Sequence, residues 1–178
     1  MEQKKEIRRE VRRRIAEIDA PSRALAAESI FSQIESLENF REARCIALFA
    51  AMKDEVPTEF ALRRWRDMGK DIIVPRVEGD VMRFYDYVPE RMQTGAFGIE
   101  EPMGDDERNC ADIDLMIVPA RAFTRRGERL GRGGGFYDKY MSLNGFRAYK
   151  VGIAFGCQIF DVLPTDAHDI IVDEVIFA

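Results

Sequence analysis

The stretch LMIVPARAFTRRGERLGRGGGFYDKYMSL, Leu115–Leu143, decides the fold class. Leu115–Pro119 is an unbroken apolar run, the pattern of a strand covered on both faces. Four glycines follow within five residues, Gly131, Gly133, Gly134 and Gly135. A helix is expected immediately after them, from about Phe136 to Leu143. Two more runs repeat the first motif: CIALFA, Cys45–Ala50, and DIIVP, Asp71–Pro75. VMRFYDYVP, Val81–Pro89, alternates in the manner of a strand with two unlike faces. AYKVGIAF, Ala148–Phe155, and IIVDEVIF, Ile170–Phe177, read as closing strands.

Between these strands the period changes. Ile7, Val11, Ile15 and Ile18 recur at spacings of four and three, so a helix is expected from Gln3 to about Ile18. A second is expected after Pro21, to about Leu37. A third runs from Pro57, in its first turn, to about Met68. The segment from Gly95 to Asp114 reads as a loop. Strands alternating with helices predict one three-layer α/β/α domain over residues 1–178, with a largely parallel central sheet.

Bulk properties narrow the function. The chain has 178 residues, 46% of them hydrophobic and 33% charged, and a net charge of −5. That size supports a single core, and the charge disfavours a general nucleic-acid binder. Cys45, Cys110 and Cys157 have no metal-ligand spacing, which suits a reducing compartment. The N-terminal MEQKKEIRRE has no apolar signal stretch, and no run approaches membrane-spanning length. A cytoplasmic monomer, with neither membrane nor nucleic acid as partner, is the expectation.

The glycine run lies where ligands of parallel sheets lie, on a connection beyond the carboxyl end of a strand. Glycine lets successive backbone N–H groups converge on an anion, and a helix start adds about 0.3–1 kcal/mol for each favourable interaction. Arg129 and Arg132 add charge suited to phosphate. Neither the Walker spacing nor the dinucleotide-binding spacing is present. A flexible turn is the plainer alternative. Asp138, in the first turn of the expected helix, suits either that helix end or a Mg²⁺ ion.

With these residues in view, the sequence resembles the 5-formyltetrahydrofolate cyclo-ligase family. KKEIR at Lys4–Arg8 is similar to its N-terminal motif. MKDEVPT at Met52–Thr58 resembles its glutamate-bearing strand end. VPARAFTRRGERLGRGGGFYDKY resembles its glycine signature, and HDIIVDEVIF its C-terminal strand. The resemblance spans nearly the whole chain. It departs at Phe136 and Lys139, where the family often has tyrosine and arginine.

The resemblance implies an ATP- and Mg²⁺-dependent closure of 5-formyltetrahydrofolate to 5,10-methenyltetrahydrofolate. ADP and phosphate are released. It implies ATP contacts at Lys4, Lys5, Glu6, Ile7 and Arg8, and at Arg129, Leu130, Gly131, Arg132, Gly133, Gly134, Gly135, Phe136 and Tyr137. Arg132 and Lys4 would be catalytic. Folate would meet Ala50, Glu55, Phe84 and Arg132, together with Gly133, Gly134 and Gly135. Mg²⁺ would sit with Asp138 and Asp169.

The helical period partly agrees. At 100° per residue Lys4 falls on the stripe of Ile7, Val11, Ile15 and Ile18, with Arg8 on its edge. Lys5, Arg9, Arg12 and Arg13 point elsewhere. The lone His168 reads as a local hydrogen-bonding residue and Asp173 as structural. Three alternatives stay open: an ATP-using enzyme with another small substrate, a nucleotide sensor, and a nucleic-acid binder using the basic N-terminal helix.

Overall fold

A computed structural model describes residues 1–95 and 98–178; Ala96 and Phe97 of the expected 95–114 loop lie outside the described residues. Six strands form the main sheet: β1 (Cys45–Ala47), β2 (Asp71–Glu78), β3 (Val81–Asp86), β6 (Leu115–Val118), β9 (Tyr149–Ala154) and β10 (Glu174–Phe177). Their order is β10-β9-β6-β1-β2-β3. Every pairing is parallel except the edge pair β2–β3.

Among the described residues, five α-helices accompany the sheet: α1 (Glu2–Ala16), α2 (Ala20–Glu35), α3 (Glu38–Glu42), α4 (Glu59–Asp67) and α5 (Phe136–Met141). Pro57 precedes α4 rather than lying in its first turn. The Asp19 carboxylate caps α2 by accepting from Ser22 N–H (2.8 Å), with Pro21 fitting the first turn, where no N–H is needed.

Strand alternation divides the core. Ile46, Ile72, Val74, Ile117, Val151 and Ile153 face α1 to α4, where Trp65 is fully buried beside Phe31 and Phe40. Cys45, Ala47, Ile73, Met116, Val118 and Ala154 face the other way, toward α5 and the connections around it. Among the described residues the three layers are thus unequal: four α-helices cover one face and one six-residue α-helix covers part of the other.

Two differences from the expected elements have local causes. Strand β2 continues past Pro75 to Glu78. Pro75 faces Phe84, whose carbonyl turns away to accept Arg108 N–H (2.9 Å), so proline's missing N–H removes no ladder bond there. The segment before the glycine run also holds a hairpin, β7 (Ala122–Phe123) with β8 (Arg129–Leu130). Strands of two residues are too short to show a period. A similar small hairpin, β4 (Met92–Thr94) with β5 (Glu100–Pro102), lies in and beside the expected 95–114 loop.

Candidate active site

From β1 the chain runs outward through β2 to β3, then returns to place β6, β9 and β10 on the other side. The strand order therefore reverses between β1 and β6, and a crevice opens beyond their carboxyl ends. A cleft of about 840 Å³ fills that position. Phe49 and Ala50 follow β1, Pro119 to Arg121 follow β6, and Pro75 and Val77 belong to β2; all line it.

One end of the cleft is cationic. Helix α1 docks through Val11 and Ile15, both fully buried, and so brings its first turns to the glycine run. Lys4, Arg8 and Arg12, four residues apart, line the cleft on one stripe. Arg8 Nε donates to Gly131 O at 2.8 Å. Gly133 and Gly135 hold φ of +117° and +71°, backbone that side-chain-bearing residues rarely adopt. Gly131 to Tyr137 line the cleft without a break. The short α5 adds little dipole, so side-chain cations supply most of the positive field.

Arg129 lies beneath the run with its side chain 5% exposed. It donates to Asp138 Oδ1 and to Pro119 O, both at 3.2 Å. Its buried Nε has no hydrogen-bond partner among the described residues. Burial lowers the pKa of both Arg8 and Arg129 from the ordinary arginine value. Arg132 bends back to Asp54 (Nη2 to Oδ1, 2.6 Å) and stands 3.6 Å from Glu55 Oε2.

Acids close the cationic end. Lys4 Nζ donates to Asp166 Oδ2 at 2.6 Å and lies 3.7 Å from Asp169 Oδ2. The hydrogen bond to Asp166 raises Lys4 above its ordinary pKa. The ligand atoms of Asp166, His168 and Asp169 lie within 4.8 Å of one another, and the two carboxylates are hard donors of the kind that fit a divalent cation. Asp138 is outside that trio. Its Oδ1 accepts from both Arg129 and Ile170 N–H (3.0 Å), yet it lines the same cleft.

The other end is largely apolar, walled by Phe49, Met52, Pro75, Val77 and Met82. Glu55 borders it. Its Oε1 accepts from Met52 N–H at 2.8 Å, and burial pushes its pKa up although Arg132 stands nearby. Glu101, 5% exposed, is a second carboxylate in this wall.

Most residues expected at the site converge here, but four do not. Phe84 is 1% exposed and packs on Tyr140, ring centroids 4.7 Å apart, inside the second core rather than on the cleft. Met82, two residues earlier on the same face, does reach the cleft. Lys5 and Glu6 are exposed, and Ile7 packs against the main core; the helical turn that presents Lys4 and Arg8 carries these three away. Conversely, Arg12 and His168 line the cleft. Asp54, Arg121 and Asp166 carry no role in the sequence reading, although Asp54 lies within the segment Met52–Thr58 and Arg121 within Val118–Tyr140. Asp173 holds β9 by accepting from Lys150 N–H (2.8 Å), a structural role.

A parallel α/β sheet with a glycine-and-arginine cradle at its switch point belongs to the class of small-molecule enzymes that bind anionic ligands beyond strand ends. Comparisons with known proteins narrow this class. The family model described as the 5-formyltetrahydrofolate cyclo-ligase family matches residues 1–178. The 5-formyltetrahydrofolate cyclo-ligase of Mus musculus is 28% identical, over 98% of this chain and 93% of its own. That of Escherichia coli K12 is 31% identical, over 75% and 78%. The solved structure of Aquifex aeolicus 5,10-methenyltetrahydrofolate synthetase superposes with a TM-score of 0.86 at 34% identity, covering 98% of this chain and 89% of that one. This chain belongs to the 5-formyltetrahydrofolate cyclo-ligase family and is, with it, a ligase enzyme. Among the described residues, no helix is long and apolar enough to cross a membrane.

Proposed function

We propose that the chain converts 5-formyltetrahydrofolate to 5,10-methenyltetrahydrofolate with consumption of ATP, releasing ADP and phosphate. One observation carries this reading. Cations from residues 4–12 and the backbone of residues 131–135 meet in one cleft, joined by the 2.8 Å Arg8–Gly131 bond, beside an apolar compartment fit for a flat ring.

A formamide oxygen leaves poorly. When it attacks the terminal phosphorus of ATP, ADP departs and the oxygen becomes part of a phosphate leaving group. Folate N10 then attacks the formyl carbon, the phosphate leaves, and N10 gives up its proton. Both reacting nitrogens belong to one molecule, so positioning replaces a second encounter.

The residues divide this work. Arg8, Arg132 and the glycine-run amides hold the polyphosphate, and Arg132 meets charge developing on the transferred group. Arg129 supports the run from below. Lys4 reaches the phosphates from the N-terminal side. Met52, Pro75, Val77 and Met82 exclude water from the ring, and Glu55 accepts hydrogen bonds from its N–H groups. Asp169 with Asp166, and Asp138 beside them, would hold Mg²⁺, which when bound neutralises polyphosphate charge.

Purified protein given 5-formyltetrahydrofolate and MgATP tests this directly. The reading requires methenyl product and ADP in equal amounts, and no product without ATP. Product formed without ATP, or no product from folded protein, rejects it.

A further inference from the structure

Asp54 and Arg121 are unassigned by the reading above, yet Asp54 holds Arg132 more closely than Glu55 does (2.6 against 3.6 Å), and Arg121 in turn holds Asp54. Each oxygen of the Asp54 carboxylate takes one guanidinium: Oδ1 takes Arg132 and Oδ2 takes Arg121. The two arginines differ in character. Arg132 sits among glycines, and its side chain is 34% exposed. Arg121 is 7% exposed and rigid on both sides. Its N–H donates to Leu130 O (2.8 Å), and its carbonyl accepts from Gln158 Nε2 (3.1 Å).

Asp54 is held as firmly. It lies in the tight turn closed by Glu55 N–H to Met52 O (3.1 Å) and by Met52 N–H to Glu55 Oε1 (2.8 Å). Burial works against its charge, but hydrogen bonds from Arg132 and Arg121 prevail and hold its pKa below the ordinary carboxylate value.

We propose that Arg121 and Asp54 form a positioning relay that orients Arg132 for phosphoryl transfer. A guanidinium has five N–H donors, so an edge held by Asp54 leaves others to face a phosphoryl group. Arg121 keeps Asp54 ionised and stationary, so the oxygen that accepts from Arg132 stays in place while the free donors of Arg132 meet the ligand. Without the relay, Arg132 would sample many rotamers from a glycine-flanked backbone, and orientation is lost where transfer is most sensitive to it. This inference rests on the reading of Arg132 as a phosphoryl contact.

The test is a set of double-mutant cycles on the full-length protein. Steady-state kcat, KM for ATP, KM for 5-formyltetrahydrofolate and Tm are measured for D54N, R121M, R132M, D54N/R132M and R121M/R132M. D54N and R121M should each lower kcat about tenfold while KM for the folate stays within about twofold. In the R132M background neither should lower kcat further, because the group they act through is gone. A merely structural role would instead lower Tm and rate in both backgrounds. If R132M is slow and D54N still costs its full factor on top, the relay is wrong and the role of Arg132 stands. If R132M turns over normally, the reading of Arg132 itself fails. Should R121M not fold, the D54N comparison in the two backgrounds decides alone.

Discussion

Arg8→Met tests the junction between the N-terminal helix and the glycine run. The substitution keeps a straight apolar stem over the main core but removes the guanidinium whose Nε bonds Gly131 O at 2.8 Å. A hydrogen bond from a charged donor contributes about 1.5–3 kcal/mol. Directed at a phosphate, that corresponds to a rise of roughly 10- to 150-fold in KM for ATP. Folding should suffer far less. The Gly131 bond, also from a charged donor, is worth about 1.5–3 kcal/mol, and its loss is offset in part by the relief of a desolvated cation that faces Arg121, which leaves a net cost of about 1 kcal/mol. The net change in Tm should therefore stay below about 4 °C. Arg8→Lys keeps the charge without the fork and should fall between wild type and Arg8→Met. Initial rates of methenyl formation at varied ATP and fixed saturating folate give the constants. An unchanged KM for ATP in folded Arg8→Met would refute the reasoning, because no phosphate could then lie against residues 131–135 as argued.

Phe84→Ala and Met82→Ala should separate core from cleft: the first should cost about 3–5 kcal/mol of stability by denaturant titration, and the second should mainly raise KM for the folate. A Phe84→Ala protein of wild-type stability would contradict the packing. Lys4→Met should lower kcat/KM for ATP about a hundredfold with an unchanged far-ultraviolet circular dichroism spectrum, since Val11 and Ile15 still dock α1; activity near wild type would remove Lys4 from the site. Glu55 gives a pH signature. Burial raises its folded pKa above the ordinary 4.5, so the folded state holds the proton more tightly than the unfolded chain. Stability of the wild type should thus fall relative to Glu55→Gln as pH rises from 4.5 through the folded pKa, and stay offset above it. Parallel stability curves for the two proteins would show that Glu55 is not desolvated as described.

The parts of this site that could be read in the chain are those with a period or a dense local pattern. Apolar runs at Cys45–Ala50, Asp71–Pro75 and Leu115–Pro119 announced buried parallel strands. The spacing of Ile7, Val11 and Ile15 placed Lys4 and Arg8 near the packed face of α1. The same helical turn argued against Lys5, as its exposure now shows. Phe84 misled because alternation tells which face a side chain takes, not what packs on that face, and here Tyr140 of α5 covers it. The Asp54–Arg121 pair was illegible for another reason: its partners are 67 residues apart, and one lies beside a hairpin of two-residue strands. In the sequence Arg12 reads as pointing away from the packed stripe and His168 as a local hydrogen-bonding residue. Only the docking angle of α1 and the course of residues 164–170 bring them to the cleft.

Isotope transfer addresses the central chemical claim with least intermediary. 5-Formyltetrahydrofolate carrying ¹⁸O in the formyl group, turned over with unlabelled MgATP in unlabelled water, should yield inorganic phosphate bearing the label. Unlabelled phosphate accompanying full conversion to the methenyl product would mean that the formyl oxygen never accepts the phosphoryl group, and would contradict the account.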